Sequence, residues 1–197
     1  MNLPLTLRFK ILALTPQIYV EDAAGNTLFY VKQKMFKLRE KIEVYQDSSR
    51  QNLICTIGAD RIIDWSARYL FTSADGSSLG SVGRKGMRSI WRASYDVFNP
   101  GDSNSDFEIR EENPWAKIGD SLLGEIPILG IFAGYMFHPR YMVKRRSTGE
   151  PVLRLSKQSA FLEGRFIIER FGDSTEQETL TIILSLLMMV LLEKNRG

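Results

Sequence analysis

The feature that most constrains this chain lies near its C-terminus, in the run Leu180-Thr181-Ile182-Ile183-Leu184-Ser185-Leu186-Leu187-Met188-Met189-Val190-Leu191-Leu192. It is apolar all round. Asp173, Ser174, Thr175, Glu176, Gln177 and Glu178 precede it and supply caps and first-turn acids, while Lys194 and Arg196 follow it, which suits a helix C-terminus. A helix apolar on every side must be enclosed by protein or by lipid. At ~1.5 Å per residue the run covers roughly 20 Å, against a bilayer hydrocarbon core of about 30 Å. It is too short to span comfortably and about right to fill a closed β barrel. A tail anchor is the alternative, supported by the two basic residues that follow the run.

A buried helix needs a container, and a repeated hairpin pattern supplies the strands for one. Ile18 to Lys34, Leu70 to Lys85 and Tyr141 to Gln158 each read as a strand, a turn glycine and a second strand. The glycines are Gly25, Gly76 and Gly149. Leu28, Leu79 and Val152 stand three places after them, and Val31, Val82 and Leu155 stand three further on. Basic or amide residues close each unit: Lys32-Gln33-Lys34, Arg84-Lys85 and Lys157-Gln158. Three matches at common offsets point to one supersecondary unit reused. In Met87 to Phe98, Trp91, Ala93, Tyr95 and Val97 alternate with Arg88, Arg92, Ser94 and Asp96, the period of a strand with one dry face. Asp106 to Arg110, Ile42 with Val44, Leu53 to Ile57, Arg61 to Trp65 and Phe161 to Phe171 add further strands. About ten or more strands suit a barrel or a sandwich. Asn99 to Ser105 is a polar loop within this pattern and not a domain boundary. Trp115 to Pro139 is apolar and glycine-rich and gives no clear reading.

At 197 residues, with 44% apolar and 25% charged residues, the chain is ordinary for a globular protein and reads as a single domain, 1–197. A formal net charge of +3 implies no partner class by itself. One cysteine, Cys55, and one histidine, His138, exclude an intramolecular disulfide and the usual zinc sites, which need about four such ligands. Cys55 lies in an apolar run and reads as a buried structural thiol. The N-terminus lacks the basic start and cleavage site of a signal peptide, so a cytoplasmic location is expected.

The glycine hairpins, the tail order (strand Val152 to Gln158, strand Phe161 to Phe171, acidic linker, apolar helix) and the segment Gly80-Ser81-Val82-Gly83-Arg84-Lys85-Gly86 leading into Trp91 to Phe98 together resemble the tubby-like C-terminal superfamily. That group includes tubby proteins, LURP-one-related proteins and phospholipid scramblases. The resemblance runs from about residue 5 to residue 193. It implies a mainly β fold, a closed antiparallel barrel of about twelve strands with the apolar helix threaded through it. In tubby proteins the barrel surface binds phosphoinositides through basic residues. In scramblases an acidic calcium-binding segment precedes the last helix. Here Gly172 to Glu178 is acidic but lacks the dense Asp-x-Asp spacing of a calcium loop, and Cys55 stands alone where scramblases carry a cysteine cluster. Both departures count against lipid scrambling.

No nucleophile elbow, phosphate loop, dinucleotide fingerprint or paired-histidine zinc motif occurs, so no catalytic residue, cofactor or metal ligand is assigned. Glu111-Glu112 and His138 carry no catalytic pattern. Two basic clusters remain as candidates for anion or lipid binding: Arg84, Lys85, Arg88 and Arg92, and then Lys144, Arg145 and Arg146. Arginine offers planar paired donors to phosphate. Against this stands the plainer reading of solvated charge on strand surfaces, with Asp96 and Glu108 near enough to neutralise the first cluster. Lys32 to Lys41 is a third basic stretch whose interleaved apolar residues suit a membrane surface, and a basic loop after a strand explains it equally well. Trp91 and Tyr95 fall on the dry face, which argues against a stacking platform for nucleic acid. The reading is a non-enzymatic binding module for anionic phospholipid headgroups or a protein partner, peripheral at the membrane. The alternative is a scramblase-like or tail-anchored membrane protein. Oligomeric state and ligand identity are left open by the sequence.

Overall fold

Alternation decides the architecture. In strand after strand, every second residue is apolar, so each strand offers one face to a core. The computed structural model describes residues 1–10, 17–32, 41–60, 67–84, 94–112, 139–159 and 163–194. Among them are β1 (Leu5–Lys10), β2 (Gln17–Glu21), β3 (Thr27–Lys32), β4 (Ile42–Tyr45), β5 (Leu53–Ala59), β6 (Arg68–Ser73), β7 (Ser78–Arg84), β8 (Ser94–Phe98), β9 (Phe107–Glu111), β10 (Arg140–Arg145), β11 (Pro151–Gln158), β12 (Glu163–Arg170) and α1 (Glu176–Lys194). Each strand pairs antiparallel with the next, and β12 pairs back onto β1, from Leu5 opposite Ile168 to Lys10 opposite Glu163. The sheet is a closed twelve-stranded meander with no free edge.

The expected barrel and its central helix are both present. Inward residues such as Leu5, Leu7, Val20, Ile57, Phe71, Val97, Ile109 and Leu155 form one core with α1. From Ile182 to Leu191 the helix is buried on every side. Among the described residues, no helix is long and apolar enough to cross a membrane. Cys55 sits in the wall, wholly buried, and burial pushes its thiol up to about 12. It is a packing residue, not a nucleophile.

The three glycine hairpins are β2–β3, β6–β7 and β10–β11. Gly25, Gly76 and Gly149 all have left-handed backbone (φ 85°, 90° and 76°), which glycine adopts at little cost. In the first two turns the glycine N–H donates to the carbonyl three residues back, Asp22 and Ser73; in the third it reaches Arg145, four back. The apolar residue three places after each glycine now has a structural meaning. Val20 faces Phe29 while Glu21 faces Thr27, so Leu28 is the unpaired residue of a β-bulge. Leu79 and Val152 occupy the same place in the other two hairpins. Such bulges add twist, which helps a sheet curl into a barrel. A fourth hairpin of this design, β4–β5, carries its bulge at Ile54. There Arg50 takes the left-handed position (φ 58°), and its N–H donates to the Asp47 carbonyl.

The loop from Asn99 to Ser105 joins β8 to β9 within the barrel, as its composition indicated. The readings made for Arg61 to Trp65, for Met87 to Ala93, for Phe161 and Leu162, for most of Trp115 to Pro139 and for His138 lie outside the described residues.

Candidate anion-binding rim

A meander barrel has two rims, and the chain sorts its charges between them. After β12 the chain caps and enters α1 at one rim. Thr175 opens the helix with a capping box: its hydroxyl accepts from the Glu178 N–H (3.2 Å), and the Glu178 carboxylate accepts from the Thr175 N–H (2.9 Å). The short turns β2–β3, β4–β5 and β6–β7 share this rim. In each, an aspartate (Asp22, Asp47 or Asp75) accepts a backbone N–H two residues on. Hydrogen bonds hold all three carboxyls below the usual aspartate range, chiefly from the Asn26 side chain at Asp22, from Ser49 at Asp47 and from the Ser77 N–H at Asp75. Asp102, Asp106, Glu150 and Asp173 lie in the other connections at this end, so it is acidic.

The opposite rim, where α1 ends, is basic. Lys10, Lys32 and Arg84 are the last residues of β1, β3 and β7, and Arg68 and Arg140 are the first of β6 and β10. Lys41 immediately precedes β4, and Lys157 stands one residue from the end of β11. Glu111 and Glu163 are the acidic strand-terminal residues on this side, and Asp60, Glu112 and Glu193 lie beside them. The repeated hairpin explains part of this ring. Every second strand of a hairpin runs from the turn rim to the far rim, so the bases closing each sequence unit, Lys32, Arg84 and Lys157, arrive at one end of the barrel.

Of the first basic cluster read from the sequence only Arg84 is among the described residues, and it does not meet the second. Arg84 lies at the basic rim. Lys144, Arg145 and Arg146 lie at the acidic rim, where α1 begins. Arg84 and Tyr95 are paired in register on the inner face. The guanidinium lies over the Tyr95 ring (5.9 Å) and 3.9 Å from the Glu193 carboxylate, which also accepts the Tyr95 hydroxyl proton. Arg145 reaches the first turn of α1, donating to Glu178 (2.7 Å) and to the Asp173 carbonyl (3.2 Å), and it covers the Phe107 ring (4.8 Å). Arg146 pairs with Asp96 and lies 3.8 Å from Glu108. The two acids expected to neutralise the first cluster therefore neutralise a member of the second. Lys144 points outward and is exposed. Lys85, Arg88 and Arg92 lie outside the described residues; in sequence they fall between β7 and β8, whose facing ends are both at the basic rim.

Arg84 and Arg145 thus hold the two ends of the helix. The Arg145 guanidinium, with the backbone N–H of Thr175, holds the Glu178 carboxyl below the usual glutamate range. A depressed carboxylate contributes stability above its unfolded pKa, about 4.3, and loses it as pH falls through the lower folded value. Glu178→Gln is expected to flatten the stability profile on the acid side of about pH 4.3, read as urea midpoints from about pH 3 to about pH 7. An acid limb identical to that of the unchanged protein would show that the pair does not couple to folding.

Arg68 was not singled out by sequence reasoning. Its guanidinium stacks 3.5 Å from the Phe98 ring centre, beside a groove of about 490 Å³ whose lining includes Gly83, Leu70 and Asp96. Lys10 was also missed; its ammonium lies 5.0 Å over the Tyr19 ring. Nothing in the local sequence marks either residue, because a strand-end base becomes part of a rim only once the register of all strands is known.

With this geometry in place, the comparisons with known proteins fall into order. The sequence profile of the LURP-one-related family matches residues 4–126. The chain belongs to the LURP-one-related family. A solved structure of a protein from Arabidopsis thaliana is similar over 98% of this chain and 91% of that one, at 16% identity and a TM-score of 0.45. No curated protein sequence matches. The family match covers the strands from β1 to β9 and stops short of the helix, so the placement of α1 inside the barrel rests on the structure.

Proposed function

We propose that this LURP-one-related barrel is a non-enzymatic binding module that docks on anionic phospholipid headgroups, phosphoinositide-like in charge, through the rim at the C-terminal end of α1. One observation carries the reading: strand-end bases from β1, β3, β6 and β10, with Lys41, stand at that rim beside Asp60, Glu111, Glu112, Glu163 and Glu193, while at the other rim the acids outnumber Arg50, Arg145, Arg146 and Arg170. The resulting charge separation along the barrel axis orients the molecule toward a negative surface. Juxtaposed bases at such a surface contribute about 1 kcal/mol each, and salt screens them. The tubby-like motifs in the sequence favour the same ligand class. A closed barrel offers no edge to which a peptide strand could add, so a protein partner would need a side-chain surface instead. The tail-anchored alternative loses its support because α1 is enclosed by the strands.

Flotation with liposomes tests this reading. The protein is expected to float with vesicles containing phosphoinositide and not with neutral ones, and the binding weakens from low to moderate salt. Combined Lys32→Ala, Lys41→Ala and Arg140→Ala changes reduce it on the order of a hundredfold, from about 1 kcal/mol per base. A second variant, with Lys85, Arg88 and Arg92 changed to Ala, is expected to weaken it as well, and Lys144→Ala leaves it unchanged. Equal flotation with neutral vesicles, or none with either, overturns the lipid reading and moves the proposal to a protein partner.

A further inference from the structure

Inside the basic rim, the inner face of the wall is incomplete. Gly164 of β12 faces Phe9 of β1, at a position where neighbouring strand residues Phe166 and Ile168 carry large buried side chains. A side chain there has room: its Cβ would meet Phe9 at 3.4 Å, ordinary contact. The missing side chain leaves a mainly apolar crevice of about 270 Å³ between the wall and the last turns of α1, bounded by Phe9, Tyr141, Phe166, Met189 and Val190. Small-molecule sites favour such apolar recesses in the mouths of barrels.

Two charged residues line the crevice, Lys157 and Glu193, and among the described residues the Lys157 ammonium is the one with no ion-pair partner. Register places Lys157 opposite Phe166, on the inner face that Leu153 and Leu155 line deeper in the barrel. Lys157 also lines the crevice, and among the described residues it makes no ion pair or side-chain hydrogen bond. The nearby Glu193 carboxylate is held by Tyr95 and Arg84. An inward ammonium over a dry recess matches a ligand with one anionic head and one aliphatic chain.

We propose that this crevice binds a medium-chain fatty carboxylate, its head on Lys157 and its chain between Phe9, Phe166 and Met189. A methylene takes up about as much space as a water molecule, about 30 Å³, so the recess accepts a chain of about eight to ten carbons. Lys157 is an inward-facing member of the rim, set apart by register from the outward bases, and its site is tested without vesicles.

The full chain is titrated calorimetrically with octanoate, decanoate and decanol, all below micelle formation. Decanoate is expected to bind saturably at one per chain. Octanoate binds roughly fifteenfold more weakly, since each of the two missing buried methylenes is worth about fourfold. Lys157→Gln weakens decanoate about tenfold and leaves decanol unchanged. Gly164→Val, which fills the recess, removes binding of both while the melting temperature holds or rises. Absence of saturable decanoate binding, or binding that Lys157→Gln leaves unchanged, overturns the proposal. Vesicle flotation by the Gly164→Val protein, which keeps every rim base, reads the rim separately, so the two proposals fail independently.

Discussion

Truncation before Leu180 is expected to leave no cooperative thermal transition, a collapsed or aggregated chain by circular dichroism, and strong binding of a hydrophobic dye. The magnitude follows from burial. Ile182, Ile183, Leu184, Leu186, Leu187, Met188 and Met189 are all at 0% exposure. Cutting one buried aliphatic side chain to alanine costs about 2–5 kcal/mol, and whole domains are stable by about 5–15 kcal/mol. Losing the set exceeds any plausible stability several times over. Leu187→Ala provides the graded version, with an expected loss of about 2–5 kcal/mol in a urea titration. A truncated protein that stayed folded and soluble would mean that the strands close without the helix, contrary to the continuous core.

Gly80→Ala is expected to cost about 3 kcal/mol or more, seen as a lowered urea midpoint at unchanged slope. Here α1 comes closest to the wall. Gly80 has φ +104°, and an added Cβ would lie 2.5 Å from the Phe98 carbonyl oxygen and 2.6 Å from Thr181 Cγ2. The Thr181 hydroxyl donates to the Leu79 carbonyl (2.8 Å), so helix and strand are joined at the same point where they touch. Gly76→Ala is the natural control. Its backbone is similarly left-handed (φ +90°), but nothing lies within 4 Å of the added carbon, so only the torsional cost of about 1–2 kcal/mol is expected. If the two variants lost equal stability, helix contact would not be what requires glycine at 80.

These two positions also mark what was readable in the sequence. The helix announced itself because no face of Leu180 to Leu192 is polar, and length alone then separated a core helix from a membrane span. The hairpins announced themselves through glycines that adopt a backbone other residues avoid. The β4–β5 hairpin escaped because Arg50 fills that backbone position and removes the signal. The charged residues were harder for a different reason. Lys144 and Arg145 are adjacent in sequence, yet a strand sends them to opposite faces, one to solvent and one to the helix. Arg84 and Lys144 looked alike in composition, yet a meander of alternating direction sets them at opposite rims. Clustering along a chain becomes clustering on a barrel only through strand direction and register, and neither can be read locally.

The order of the elements along the chain has a consequence for how the molecule is made. The strand that seals the cylinder, β12, pairs with the first, β1, and the helix that fills it comes after both. During synthesis the apolar faces of the strands leave the ribosome before their packing partner exists. Contacts between the ends of the chain form late and fold slowly, and unpaired strands in the meantime are open to aggregation. Nascent chains of this protein are therefore open to aggregation until α1 has been translated. A stop codon just before α1 would be nearly as damaging as one before β1.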